Sequence, residues 1–191
     1  MVTVKSQSIL SFAAHNKFMT RTILVFLLSL YSLKGFCQDQ YQSFSEKPNE
    51  KTLKGIISRE VLLNDSSFHW YQENLKGYTP NALALHCLKL QADSIQLLVF
   101  MGTWCDDSHF VIPKFYALVD AAGFPADRIT LVGVDRKKLT LSHLSEALGV
   151  TNVPTIIVLK KGKEIGRVVE YGKYGLFDKE LGEILNSLDP H

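Results

Sequence analysis

Cys105 is the side chain of this sequence best suited to covalent chemistry. It lies in Trp104-Cys105-Asp106-Asp107-Ser108, between the apolar run IQLLVFMG at 95–102 and the helix-like stretch SHFVIPKFYALVDAAG. A cysteine where a buried strand feeds a helix stands at the helix N-terminus. Free backbone N–H groups and the helix dipole there favour the thiolate, the nucleophilic form of sulfur. Ser108, one turn on, is placed to donate a hydrogen bond to it. Asp106 and Asp107 act the other way. At about 7 Å in water each carboxylate disfavours the thiolate by roughly 0.6 kcal/mol, against a dipole contribution of about 0.3–1 kcal/mol. The two effects nearly cancel, so a nucleophile of modest activation is expected. His109, four residues on, is a further candidate modulator. With Cys105 it would supply only two metal ligands, and Cys87 and Cys105 match no zinc spacing, so no metal is expected.

The elements that hold this loop are readable from periodicity. The run at 95–102 suits a strand buried on both faces, and ITLVGV at 129–134 suits a second. TIIVLKKGKEIGRVVEYG reads as two strands around Lys161-Gly162-Lys163. Helices are expected after Thr79-Pro80 to about residue 91, over 108–123, over 141–148 and over 176–188. Two buried strands joined through a helix imply a parallel pair, and the terminal hairpin adds antiparallel strands. The fold class is therefore α/β, a central mixed β-sheet with helices on both faces. Residues 38–52, QDQYQSFSEKPNEKT, read as a flexible leader. Residues 53–79 read as an N-terminal helical extension, with Ile56, Ile57, Val61, Leu62 and Leu63 at helical spacing. Its His69, Trp70 and Tyr71 are expected to pack against the domain that occupies 80–191. Cys87, beside His86, reads as a small buried core residue, with a distant resolving thiol as the rival reading.

The first 37 residues differ from the rest. They hold Lys5, Lys17, Arg21 and Lys34 but no acid, and ILVFLLSLYSL at 23–33 is too short to span a bilayer, which takes about 20 residues. A basic start, a short apolar run and small residues before a polar segment read as a signal peptide, with cleavage before Gln38 and the true start at Met19. The expected localisation is exported, periplasmic or extracellular, with no membrane span left after cleavage. Lipoprotein anchoring at Cys37 is the rival reading. The whole chain carries 21 basic and 19 acidic residues, and removing the prefix leaves 17 against 19. That balance implies no nucleic-acid surface. No Gly-rich phosphate loop is present and no cofactor is indicated.

With these elements in this order, the chain resembles the thioredoxin superfamily over about residues 80–188. LLVFMGTWCDDS sits where that family has its WCxxC loop, Pro113 matches the proline of its active-site helix, and Val153-Pro154-Thr155 matches its cis-proline loop. The resemblance implies a thioredoxin fold, protein thiols or disulfides as partners and a substrate surface at Trp104, Val153 and Pro154. It also exposes departures. Ser108 replaces the second cysteine, and Val99 stands where thioredoxins often carry a buried acid. The resemblance thus implies a monothiol WCxxS site with Cys105 as nucleophile. Such a thiol can form a mixed disulfide but needs another thiol, from the substrate or of low molecular weight, to be released. That fits isomerisation or capture better than dithiol reduction. The alternative is a non-catalytic thioredoxin-fold binding module or chaperone.

Overall fold

The computed structural model describes residues 40–188, so the expected signal peptide and its cleavage site lie outside the described residues. Among the described residues, six strands form one sheet in the order β1-β2-β4-β3-β5-β6. The strands are β1 (Tyr41–Phe44), β2 (Thr52–Ile57), β3 (Ile95–Met101), β4 (Ile129–Gly133), β5 (Thr155–Lys160) and β6 (Lys163–Val169). Helices α1 (Arg59–Asn64) and α2 (Trp70–Glu73) follow β2, and α3 (Ala82–Gln91) precedes β3. Then come α4 (Asp106–Ala122), α5 (Leu144–Ala147) and α6 (Phe177–Asn186).

The expected parallel pair is present: β3 runs parallel to β4, with Val99 opposite Leu131. β5 and β6 form the expected antiparallel hairpin, and β5 also pairs antiparallel with β3. β3 is therefore a central strand, which is why its apolar run is unbroken. Val99, Phe100 and Met101 are completely buried. On one face lies the larger core, with Leu88 of α3, Phe115 and Leu118 of α4, and Leu181 and Leu185 of α6. The opposite face is covered by less. Phe100, Val132, Val134 and Ile157 pack there with Val153, Leu144 and Leu148, and Trp104 and Cys105 lie against that cluster. Each buried aliphatic side chain contributes about 1.5–3 kcal/mol.

The first half departs from expectation. The expected flexible leader contains strand β1, and the expected helical extension opens with strand β2. β2 pairs antiparallel with β1 on one side and β4 on the other. Two glycines make this contact possible. Gly55 lies opposite Gly133. A Cβ on Gly133 would stand 2.3 Å from the Leu53 carbonyl oxygen, and Gly55 has φ +121°, a region that disfavours other residues. The helical spacing of Ile56 and Ile57 with Val61–Leu63 is coincidental, since Ile57 is buried under the sheet and Ile56 points outward. Helical structure begins at Arg59.

Candidate functional site

α4 begins where the sequence places the reactive cysteine. Cys105 is its N-cap, in extended conformation, with Asp106 and Asp107 in the first turn. Pro113 lies inside the helix. The Cys105 sulfur is half-buried and donates a hydrogen bond to the Val153 carbonyl at 3.3 Å. The Val153–Pro154 peptide bond is cis. The structure thus brings together two segments 48 positions apart in the chain. Val153 and Pro154 are buried, and the Pro154 carbonyl accepts from the Glu170 N–H at 2.7 Å.

Ser108 is fully buried, and its Oγ accepts from the Gly102 N–H at 3.2 Å. The sulfur makes its hydrogen bond to Val153 and not to Ser108. The serine therefore braces the end of β3, a job for which its small polar side chain suffices. Trp104 donates its indole N–H to the Val134 carbonyl at 2.9 Å and packs beneath Gly102. Arg136 lies over the indole, 5.0 Å from the ring centre, and is held there by Glu50. Lys138 adds a second cation at 5.9 Å.

His109 works on the loop and not on the sulfur. Its Nε2 is 2.8 Å from the Thr103 carbonyl, an acceptor, so that nitrogen carries the proton. Nδ1 is 3.7 Å from the exposed Asp106 carboxylate. The ring stacks on Trp70, with centres 4.2 Å apart and planes 14° apart. Burial lowers the histidine's pKa, against the opposing pull of the Thr103 carbonyl and Asp106. Of the aromatic cluster at 69–71, Trp70 and Tyr71 do pack against the domain, Trp70 directly behind the site, whereas His69 is exposed.

Two functional positions escaped the sequence reading. Thr103 is buried at the end of β3. Its hydroxyl accepts from the Leu53 N–H at 3.1 Å and donates to the Lys51 carbonyl at 2.8 Å, so the cysteine loop is fastened to the start of β2. A polar residue terminating an apolar run was the available sign. Tyr171, just after β6, has its hydroxyl pushed up to about 12, first by burial and then by the Asp107 carboxylate and the charges of Cys105 and Asp106. It stays protonated beside the site, and nothing local in the sequence marks it. Cys87 is 1% exposed in the main core on α3, with its sulfur 3.9 Å from Asn186 Oδ1.

Residues 86–179 match the family model for thioredoxin. A thioredoxin of Chlamydia pneumoniae is 31% identical over 100 residues, which is 52% of this chain and 85% of that protein. The chain belongs to the thioredoxin family. A thioredoxin of Echinococcus granulosus is 30% identical over 87 residues, 46% of this chain and 76% of that protein. Among solved structures, thioredoxin NaTrxh from Nicotiana alata is 27% identical, with coverage of 55% of this chain and 81% of that one and a TM-score of 0.37. Among the described residues of this thioredoxin-like redox protein, one cysteine, Cys105, is half-exposed at the mouth of the fold, and the residue three positions on is a buried serine. No helix among the described residues is long and apolar enough to cross a membrane.

Proposed function

We propose that this chain carries out thiol-disulfide exchange through Cys105 alone, as an isomerase-like or client-capturing protein in an exported compartment. The observation that carries this reading is the 3.3 Å approach of the Cys105 sulfur to the Val153 carbonyl at the mouth of α4. A client disulfide docked along that backbone meets the sulfur and the unpaired N–H groups of the first helical turn together. The Cys105 thiolate attacks one client sulfur. A Cys105–client disulfide forms as the client S–S bond breaks, and the electron pair leaves on the other client sulfur, which takes a proton from water. With serine at 108, the adduct waits for an incoming thiolate. If that thiolate belongs to the client, its disulfides are rearranged with no net redox change. If it belongs to a low-molecular-weight thiol, a new mixed disulfide leaves and Cys105 returns as thiolate.

Export is supported by the acid-free, basic and apolar prefix at 1–37, and an exported compartment is one in which client disulfides persist. N-terminal sequencing of the mature protein checks it: a start at Gln38 is expected, and a retained Phe26 contradicts cleavage. Trapping in the native compartment tests the exchange. Mixed disulfides with client proteins are expected, and they vanish in Cys105→Ala. Clients that bind equally well to Cys105→Ala, without any disulfide, would instead establish a non-catalytic binding module.

A further inference from the structure

A groove of about 680 Å³ opens on the α4 flank of the site, lined in part by Lys76, Phe110, Lys114, Tyr171 and Leu176. Helix geometry connects it to the sulfur. Asp107, Phe110 and Lys114 follow at i, i+3 and i+7 on α4, so they share a face that leads away from Cys105. Tyr171 belongs to both places. Its ring meets Phe110 with centres 5.4 Å apart, and its hydroxyl feels the charges of Asp107 and Cys105.

The chemistry of the groove indicates what fills it. Two large apolar side chains stand open on its wall, Phe110 42% and Leu176 55% exposed, beside the exposed Glu73 and Lys76. Beneath them lies a cation that joins no ion pair among the described residues. Lys114 is 8% exposed. Its ammonium donates to the Phe110 carbonyl at 3.0 Å and lies 3.2 Å from the Phe110 ring centre. Burial works against that charge, so an incoming anion would relieve it. Of the two acids on the groove lining, Asp178 is engaged by the Tyr78 hydroxyl at 2.8 Å and the Asn81 N–H at 3.0 Å, and Glu73 is exposed.

We propose that this groove docks the polypeptide flanking a client cysteine, seating an apolar side chain on Phe110 and Leu176 and an acidic side chain at Lys114. The proposal rests on Cys105 being the exchanging thiol. From Cys105 to Lys114 the helix rises about 13 Å. An extended client covers that span in about four residues. The favoured acid therefore lies about four positions from the captured cysteine.

Peptides with one cysteine, disulfide-linked to thionitrobenzoate, test this on the full chain. Attack by Cys105 leaves the peptide on the protein and releases the coloured thiolate. The peptides carry a leucine next to the cysteine and either Glu or Lys four positions to each side. Hydroxyethyl disulfide, too small to reach the groove, serves as the reference. Wild type is expected to react at least about threefold faster with the Glu peptide, a ratio that even a modest ion pair supplies. Lys114→Gln should bring that ratio to one, and Phe110→Ala should slow both peptides, with hydroxyethyl disulfide unaffected by either change. Equal rates with the two peptides in wild type, or a faster Lys peptide, overturn the groove and leave the exchange reading intact. No adduct on Cys105 even with hydroxyethyl disulfide overturns the exchange reading and the groove with it. A Glu preference that persists in folded Lys114→Gln overturns the seat at Lys114, and if that variant fails to fold, Phe110→Ala against its hydroxyethyl disulfide reference still tests the groove.

Discussion

Replacing Thr103 with valine tests whether the cysteine loop depends on the start of β2. The exchange keeps shape and removes the hydroxyl. The Leu53 N–H, on a residue with no exposure, then loses the Oγ1 acceptor at 3.1 Å. A buried donor left unsatisfied costs about 1–3 kcal/mol. The Lys51 carbonyl also loses its donor at 2.8 Å, but Lys51 is half-buried and water can replace it, so this adds little. The expected loss is about 1–3 kcal/mol, read as a lower urea midpoint with an unchanged slope. Thr103→Ser keeps both hydrogen bonds and removes one methyl, so it should cost only about 0.8 kcal/mol. Because the Thr103 carbonyl also holds His109, Thr103→Val should disturb the Trp70 fluorescence through the stacked ring. A Thr103→Val variant within 0.5 kcal/mol of wild type would refute the reasoning. So would a Thr103→Ser variant that is equally damaged.

Three further outcomes are expected. The His109 pKa is depressed by burial, so the folded state binds fewer protons than the unfolded chain, and the stability this gives is present above about pH 6.5 and lost as pH falls below it. The urea midpoint should therefore drop between pH 7 and pH 5 more in wild type than in His109→Gln. Lys54→Met leaves the Asp135 carboxylate, 8% exposed, without its cation at 2.7 Å, and should cost about 1–3 kcal/mol at pH 7, less than a fully buried pair because Lys54 is partly exposed. Asp135 is held below the usual carboxylate range despite burial, chiefly by Lys54, so the wild-type pairing persists through that range and the loss should shrink only as pH falls below about 4 toward the carboxyl's own lowered value; denaturation series at pH 7 and at successively lower pH read it. Ser108→Cys should weaken the acceptor for the Gly102 N–H, at about 0.5–1.5 kcal/mol, and raise insulin reduction with dithiothreitol above wild type; no gain in turnover would contradict the assigned lack of a resolving thiol.

The elements nearest the site were legible because burial on both faces leaves a plain pattern. Ile95–Met101 and Ile129–Gly133 are central strands and read as apolar runs, and the cysteine loop, Pro113 and Val153-Pro154 kept their spacing. The first two strands were not legible. β1 is an edge strand whose residues Gln42, Ser43 and Phe44 face solvent, and polar edge strands carry no apolar alternation. β2 hides behind Lys54, Gly55 and the outward Ile56, and its identity depends on the distant Gly133, a long-range contact that local periodicity cannot register. The site divided in the same way. Cys105 stood where its helix cap required. Ser108 and His109 proved to hold Gly102 and Thr103, partners fixed by tertiary packing. Thr103 and Tyr171 act through segments 50 or more positions away, or through the far end of the sheet hairpin.

The persistence of the Cys105 adduct bears most directly on the exchange chemistry. Wild-type protein is treated with hydroxyethyl disulfide, freed of excess reagent and followed by intact mass. The account predicts one adduct on Cys105 that endures until a thiol such as glutathione is added, and then leaves. Spontaneous loss of the adduct with formation of a Cys87–Cys105 disulfide would contradict it.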